Sequence, residues 1–171
     1  MSAELATKFE FPERVRTKPE TAKPVLDLYQ DFAQNKIAAE WLKQLQRASL
    51  TAIEQFGLPQ PDLERWKYTN LARAVKKREL SYSQARMQFA GNRDYITPLQ
   101  ELIAEPPQWL RDTLAIKAPG QDKYGDMVLW DVANAFLWDG AVIDIPDGVQ
   151  LEEAIEITTT GRDGFFHAPR L

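Results

Sequence analysis

The chain has 171 residues, 44% of them hydrophobic, and a formal net charge of −4. That suits one ordinary domain, or a small domain plus part of another, with a real core and no wholesale disorder. With no cysteine and a single histidine, His167, these residues offer no disulfide, thiolate metal site, cysteine nucleophile or histidine metal cluster.

No apolar run approaches the ~20 residues a membrane helix needs. The opening MSAELATKFEFPER is charged and lacks the apolar centre of a secretory signal. A cytoplasmic protein is the default expectation. Charge is unevenly spread: Asp62–Arg93 holds eight basic and three acidic residues (8 − 3 = +5), and Asp126–Leu171 holds two basic and nine acidic (2 − 9 = −7). Opposite faces for opposite partners is one reading. Mutual neutralisation inside one chain is the plainer one.

Residues 1–23 are polar, carry Pro12 and Pro19, and show no sustained period. They read as a flexible N-terminal arm. Pro24 suits the first turn of a helix, and Val25, Leu28, Tyr29 and Phe32 trace one face of it. From Ile37 to Phe56 the set Ile37, Trp41, Leu45, Ala48, Ala52 and Phe56 forms an apolar spine, with Leu42 and Ile53 beside it. Lys43, Gln44, Arg47 and Glu54 take the outer side. Gly57 stops this helix, and Pro59 and Pro61 prevent its resumption. Trp41 reads as a core anchor rather than a ligand stack.

In DLERWKYTNLARAVKKREL, Trp66 and Tyr68 alternate with Arg65 and Lys67, and Lys76, Lys77 and Arg78 follow. One reading is a nucleic-acid surface of stacking aromatics and phosphate-tracking cations. The other is a capped turn: Thr69 or Asn70 starts a short helix, Trp66 and Tyr68 tuck into the core, and the cations stay solvated. The acidity of the whole chain favours the second.

Residues 81–97 are ambiguous, although Gly91-Asn92 marks a turn and Met87 and Phe89 are spaced as on a strand. Pro98-Leu99 opens a brief helix through Ala104, and Gln108–Thr113 makes another turn of helix. Gly125–Ile157 then reads as helix followed by strands. Asp126 is placed to cap the helix, Leu129, Val132, Ala133 and Phe136 form its buried face, and Gly140 ends it. Ala141–Ile145 is a strand, Pro146-Asp147-Gly148 a turn, and Ala154–Thr159 a second strand.

Neither a phosphate-binding loop nor a dinucleotide fingerprint occurs. Glu152, Glu153 and Glu156 invite an acid/base or metal reading, and with it a small hydrolase. On a strand, however, Glu152 and Glu153 point to opposite faces, and Glu156 alternates with Ile155 and Ile157 toward water. His167, between Phe166 and Ala168, reads as a terminal strand residue. No catalytic, cofactor-binding or metal-ligating residue is assigned. Two strands and a turn do not make an independently stable sheet, so the chain is expected to be a piece of something longer.

Two stretches resemble one known family. They are Leu58–Leu71 (LPQPDLERWKYTNL), and the block Leu129–Phe136 (LWDVANAF) with Asp139-Gly140, Ile145–Val149 (IPDGV) and Leu151–Glu153; the closing Ala168–Leu171 (APRL) resembles the start of that family's next strand. In this order they are similar to the N-terminal region of SufD, in the SufB/SufD family of the SufBCD iron–sulfur cluster assembly machinery. The resemblance implies an α+β chain: a flexible arm (1–23), a helical N-terminal domain (24–138), and the first strands of a truncated right-handed parallel β-helix (139–171). It implies a non-enzymatic scaffold. SufB-like and SufC-like partners and an iron–sulfur cluster belong to the parent complex, and this stretch holds no cofactor. An uncovered strand edge would invite self-association. The alternative is a nucleic-acid-binding module built on residues 65–78.

Overall fold

The apolar periodicities of the first half do form helices. Among the residues described by the computed structural model (18–34, 39–61, 66–76, 81–82, 86–115, 127–161 and 165–166), these are α1 Lys23–Gln34, α2 Glu40–Phe56, α3 Leu71–Lys76, α4 Leu99–Leu102, α5 Gln108–Ala115 and α6 Met127–Ala135. The strands are β1 Ser81–Tyr82, β2 Arg86–Ala90, β3 Ile96–Pro98, β4 Ala141–Ile143, β5 Glu156–Thr160 and β6 Phe165–Phe166. The class is α+β.

The chain enters α1 through a 3₁₀ turn, Pro19–Ala22, so the last residues of the expected arm lie on the body. Thr21 Oγ1 donates to the Lys18 carbonyl at 2.6 Å and accepts the Leu58 N–H at 2.8 Å. Residues 1–17 lie outside the described residues. Val25, Leu28 and Phe32 are buried on α1, as their spacing predicts. Phe32 and Phe136 rings lie 5.3 Å apart, and Tyr29 meets Phe136 edge-on at 5.7 Å, the geometry that aromatic quadrupoles favour.

Helix α2 buries Leu42, Leu45, Ala52 and Ile53 as its apolar pattern suggests, but the stripe is shifted toward Leu42 and Ile53 and takes in polar residues. Leu42, Leu45, Gln46, Ser49, Ala52 and Ile53 face inward, whereas Trp41, Ala48 and Phe56 are half-buried. Ile37 lies outside the described residues. The polar members displace the expected stripe: Gln46 Nε2 donates to the Leu137 carbonyl at 3.0 Å, and its Oε1 accepts the Tyr29 hydroxyl at 3.5 Å. Ser49 and Ala52 are small, which lets α2 and α6 pack closely. Trp41 is an anchor by its edge, its Nε1–H donating to the Ile103 carbonyl at 2.8 Å.

Helix α6 is likewise rotated from expectation. Val128, Asp131, Val132 and Ala135 are buried, and Leu129 is 38% exposed. The helix ends at Ala135 rather than at Gly140, because Phe136, Leu137 and Trp138 turn straight into the core. The Asp126 cap lies outside the described residues. Two apolar clusters result. One joins α1, the C-terminal half of α2, and Val128, Val132, Ala135 and Phe136. The other joins Leu42 and Leu45 to Leu99, Ile103, Leu110, Leu114 and Leu137.

The downstream strands pair backward. β5 runs antiparallel to β2, with Phe89 opposite Ile157, and β4 runs antiparallel to β3, with Ile96 opposite Ile143. An Asp144 N–H to Tyr95 carbonyl bond at 3.0 Å continues the second ladder. The two ladders together make an interrupted two-stranded ribbon, 86–98 against 141–160. β1 and β6 form a separate short parallel pair. The expected strand over Ala141–Ile145 ends at Ile143, and that over Ala154–Thr159 is shifted to Glu156–Thr160. In the described pairing, β4 and β5 do not lie side by side as parallel rungs. Pattern identifies a strand but not its partner, and the partners lie in the ambiguous 81–97 stretch. The turn after β4 is as expected: Val149 N–H bonds to the Pro146 carbonyl at 3.2 Å, with Gly148 at φ 80°.

Two predictions follow from this packing. Gly57 has φ 70°, and a Cβ there would overlap the Lys18 carbonyl; Gly148 has φ 80° in open space. Gly57→Ala should therefore cost about 2 kcal/mol or more in urea unfolding, through strain plus overlap, and Gly148→Ala only about 1 kcal/mol through strain. Second, burial raises the Tyr29 phenol above its ordinary 10.0, partly opposed by the Arg47 guanidinium. Its folded pKa thus exceeds its unfolded one, so its contribution to stability is complete below the unfolded value and is lost as pH rises through the folded value. Tyr29→Phe should flatten the loss of stability as pH rises past about 10, as measured by denaturant unfolding at a series of alkaline pH values.

Candidate interaction surfaces

The basic, aromatic stretch folds as a turn before α3. Thr69 N–H bonds to the Trp66 carbonyl at 2.8 Å, and Asn70 Oδ1 accepts the Arg73 N–H at 2.8 Å, a side-chain cap of the kind expected there. The turn separates the two aromatics. Trp66 is half-buried, but Tyr68 is 93% exposed. The expectation that both tuck into the core therefore holds for neither in full and fails for Tyr68. Lys67 Nζ stands 5.7 Å from the Tyr68 ring centroid, an exposed cation–π contact worth about 0.5 kcal/mol. Arg73 is exposed one helical turn on. Lys76 closes α3, and Arg65, Lys77 and Arg78 lie outside the described residues.

Beside this turn runs a cleft of about 560 Å³ lined by Thr21, Lys23, Asp27, Asn70 and Arg73, among others. Its charges are mixed, and Lys23 already pairs with Asp27 at 3.0 Å. A second open cleft, about 580 Å³, follows the ribbon and is lined by Phe89, Arg93, Ile96, Glu156 and Thr158, among others.

Glu152 and Glu153 sit in a bend rather than on a strand, so the alternation expected for them does not apply. Glu156 is on β5, exposed, opposite Ala90. Among the described residues, no group of three or more His, Cys, Asp or Glu is arranged to hold a metal ion. His167 lies outside them. No helix of the described residues is long and apolar enough to cross a membrane.

Two features escape a reading of apolarity alone. Asp131 and Asn134 on α6, and Asp139 between α6 and the ribbon, are buried polar side chains, and Asp139 accepts a 2.9 Å hydrogen bond from Gln100 Nε2. Their signal is weak, because a buried polar residue looks like a surface one in sequence. Conversely, Ile143, Ile145 and Val149 are 37%, 41% and 37% exposed. Every residue from Ile143 to Gln150 is exposed. Ile143 and Ile145 alternate with Asp144, and the Pro146–Val149 turn brings Val149 back toward them. The ribbon thus presents aliphatic side chains among Asp144, Asp147, Glu152 and Glu153.

No protein-family model, curated protein or solved structure matches the chain.

The separation of Trp66 from Tyr68 is testable by stability. Tyr68→Ala should change unfolding free energy by no more than about 0.5 kcal/mol. Leu58→Ala, in the same motif but 1% exposed, should cost about 2–5 kcal/mol. Urea titrations of both variants decide this.

Proposed function

We propose that the chain is the N-terminal part of a SufD-like scaffold in a SufBCD-type iron–sulfur cluster assembly complex, acting by framing the assembly rather than by catalysis. In this reading residues 139–171 begin a right-handed parallel β-helix, SufB-like and SufC-like proteins are the partners, and the cluster is cargo of the complex. The protein is then cytoplasmic.

One observation carries the reading. Many of the residues that bear the resemblance are architectural. In the first motif Leu58 and Pro59 are buried against the turn at Lys18–Thr21, and Asn70 caps α3. In the second, Asp131, Asn134, Ala135 and Phe136 are at most 2% exposed. Among the described motif residues Asn70 alone lines one of the two clefts, and its side-chain oxygen is engaged in the cap of α3. Motifs that serve catalysis would instead place polar side chains in a cleft.

The test is co-expression of the full natural protein with SufB-like and SufC-like proteins from the same organism. The proposal predicts one co-purifying complex of fixed stoichiometry. Elution of the protein free of both, with the other two still associated, contradicts it.

A further inference from the structure

The opposite charges of the two chain segments are not neutralised against each other within the described molecule. Lys67 and Arg73, and on the ribbon Asp144, Asp147, Glu152 and Glu153, form no ion pair with another described residue. All are exposed. Each set also surrounds apolar surface that is out in water: the Tyr68 ring on one side, and Ile143, Ile145 and Val149 on the other. An aromatic anchor beside cations and an aliphatic patch rimmed by carboxylates are complementary in both charge and character.

We propose that these two surfaces are partners of each other between copies of this chain: the Lys67–Tyr68 turn and Arg73 of one molecule dock on the Ile143–Val149 turn of another. Tyr68 would lie on the aliphatic side chains, where it buries apolar area without losing access to water at its hydroxyl. Lys67 and Arg73 would meet Asp144 and Asp147 at the rim. The interaction does not depend on the scaffold assignment, since it uses neither SufB-like nor SufC-like proteins. A second copy is favoured over a nucleic acid as the occupant of the Tyr68 surface. The cleft beside it offers phosphate no net positive charge, since Glu20 and Asp27 offset Lys23 and Arg73, whereas the acidic ribbon supplies the charge that Lys67 and Arg73 lack.

Sedimentation of the 171-residue chain tests this. Association should be present at about 0.01 M salt and weaken at least tenfold by about 1 M, as the screening length falls from about 30 Å to about 3 Å. Two surface variants then separate the halves: Lys67→Glu with Arg73→Glu, and Asp144→Lys with Asp147→Lys. Each alone should be monomeric, with circular dichroism and melting like those of the parent. Mixed, they should form a one-to-one pair, because each supplies the surface the other has lost. The proposal is overturned if the parent is monomeric at low salt, if either variant still self-associates, or if the mixture stays monomeric. Retention of a single-stranded oligonucleotide that depends on Lys67 and Arg73, by a chain that does not self-associate, would overturn it in favour of a nucleic-acid surface.

Discussion

The segment Ala135–Trp138 is the constraint on which the rest of the structure depends. Where α6 ends, the chain turns without leaving the interior. Phe136 enters the cluster under α1, Leu137 enters the cluster under α4 and α5, and Trp138 packs against both. Phe136 and Leu137 are 0% exposed. Their backbone is held by the Phe136 N–H to Val132 carbonyl and Leu137 N–H to Asn134 carbonyl bonds, each 3.2 Å. The Leu137 carbonyl, turned inward, would be a costly unsatisfied acceptor in an apolar site. Gln46 answers it from the middle of α2. A buried glutamine between the two apolar halves of one helix is therefore the polar pin between two hydrophobic clusters.

That arrangement explains which parts of the fold are legible in the sequence. Helices that bury only apolar residues, such as α1, follow directly from spacing. So do local devices whose chemistry is self-contained: Asn70 as a cap, Gly57 as a stop, and the Pro146–Val149 turn. Failures occur where tertiary contacts recruit polar residues. Gln46 and Ser49 rotate the buried stripe of α2 by about one residue, and Asp131 with Asn134 turns Leu129 of α6 outward. A hydrophobicity pattern records none of this, because the stabilising partner lies far along the chain, 91 residues away for Gln46 and Leu137.

The strands were legible in kind but not in pairing. β4 and β5 form close to where they are expected, with the expected turn after β4, yet their ladders are formed with residues 86–98, across the anticipated boundary at residue 139. The ribbon is thereby tied to the helical part. For the candidate surfaces, composition indicated that charge was divided, and only the fold indicates that Tyr68 and the 143–149 turn present it to solvent. The motif residues of the family resemblance went the other way: several that could have been surface groups prove to be the interior frame.

The account stands on the claim that the two clusters form a single cooperative core pinned at Phe136 and Leu137. Amide hydrogen exchange of α1, which packs on one cluster, and of α5, which packs on the other, is the direct measurement, made on the parent chain and on Phe136→Ala. A single core predicts a common opening free energy for both helices, falling together by about 3–5 kcal/mol in the variant. If α5 keeps its protection while α1 loses it, the clusters are independent and the account is contradicted.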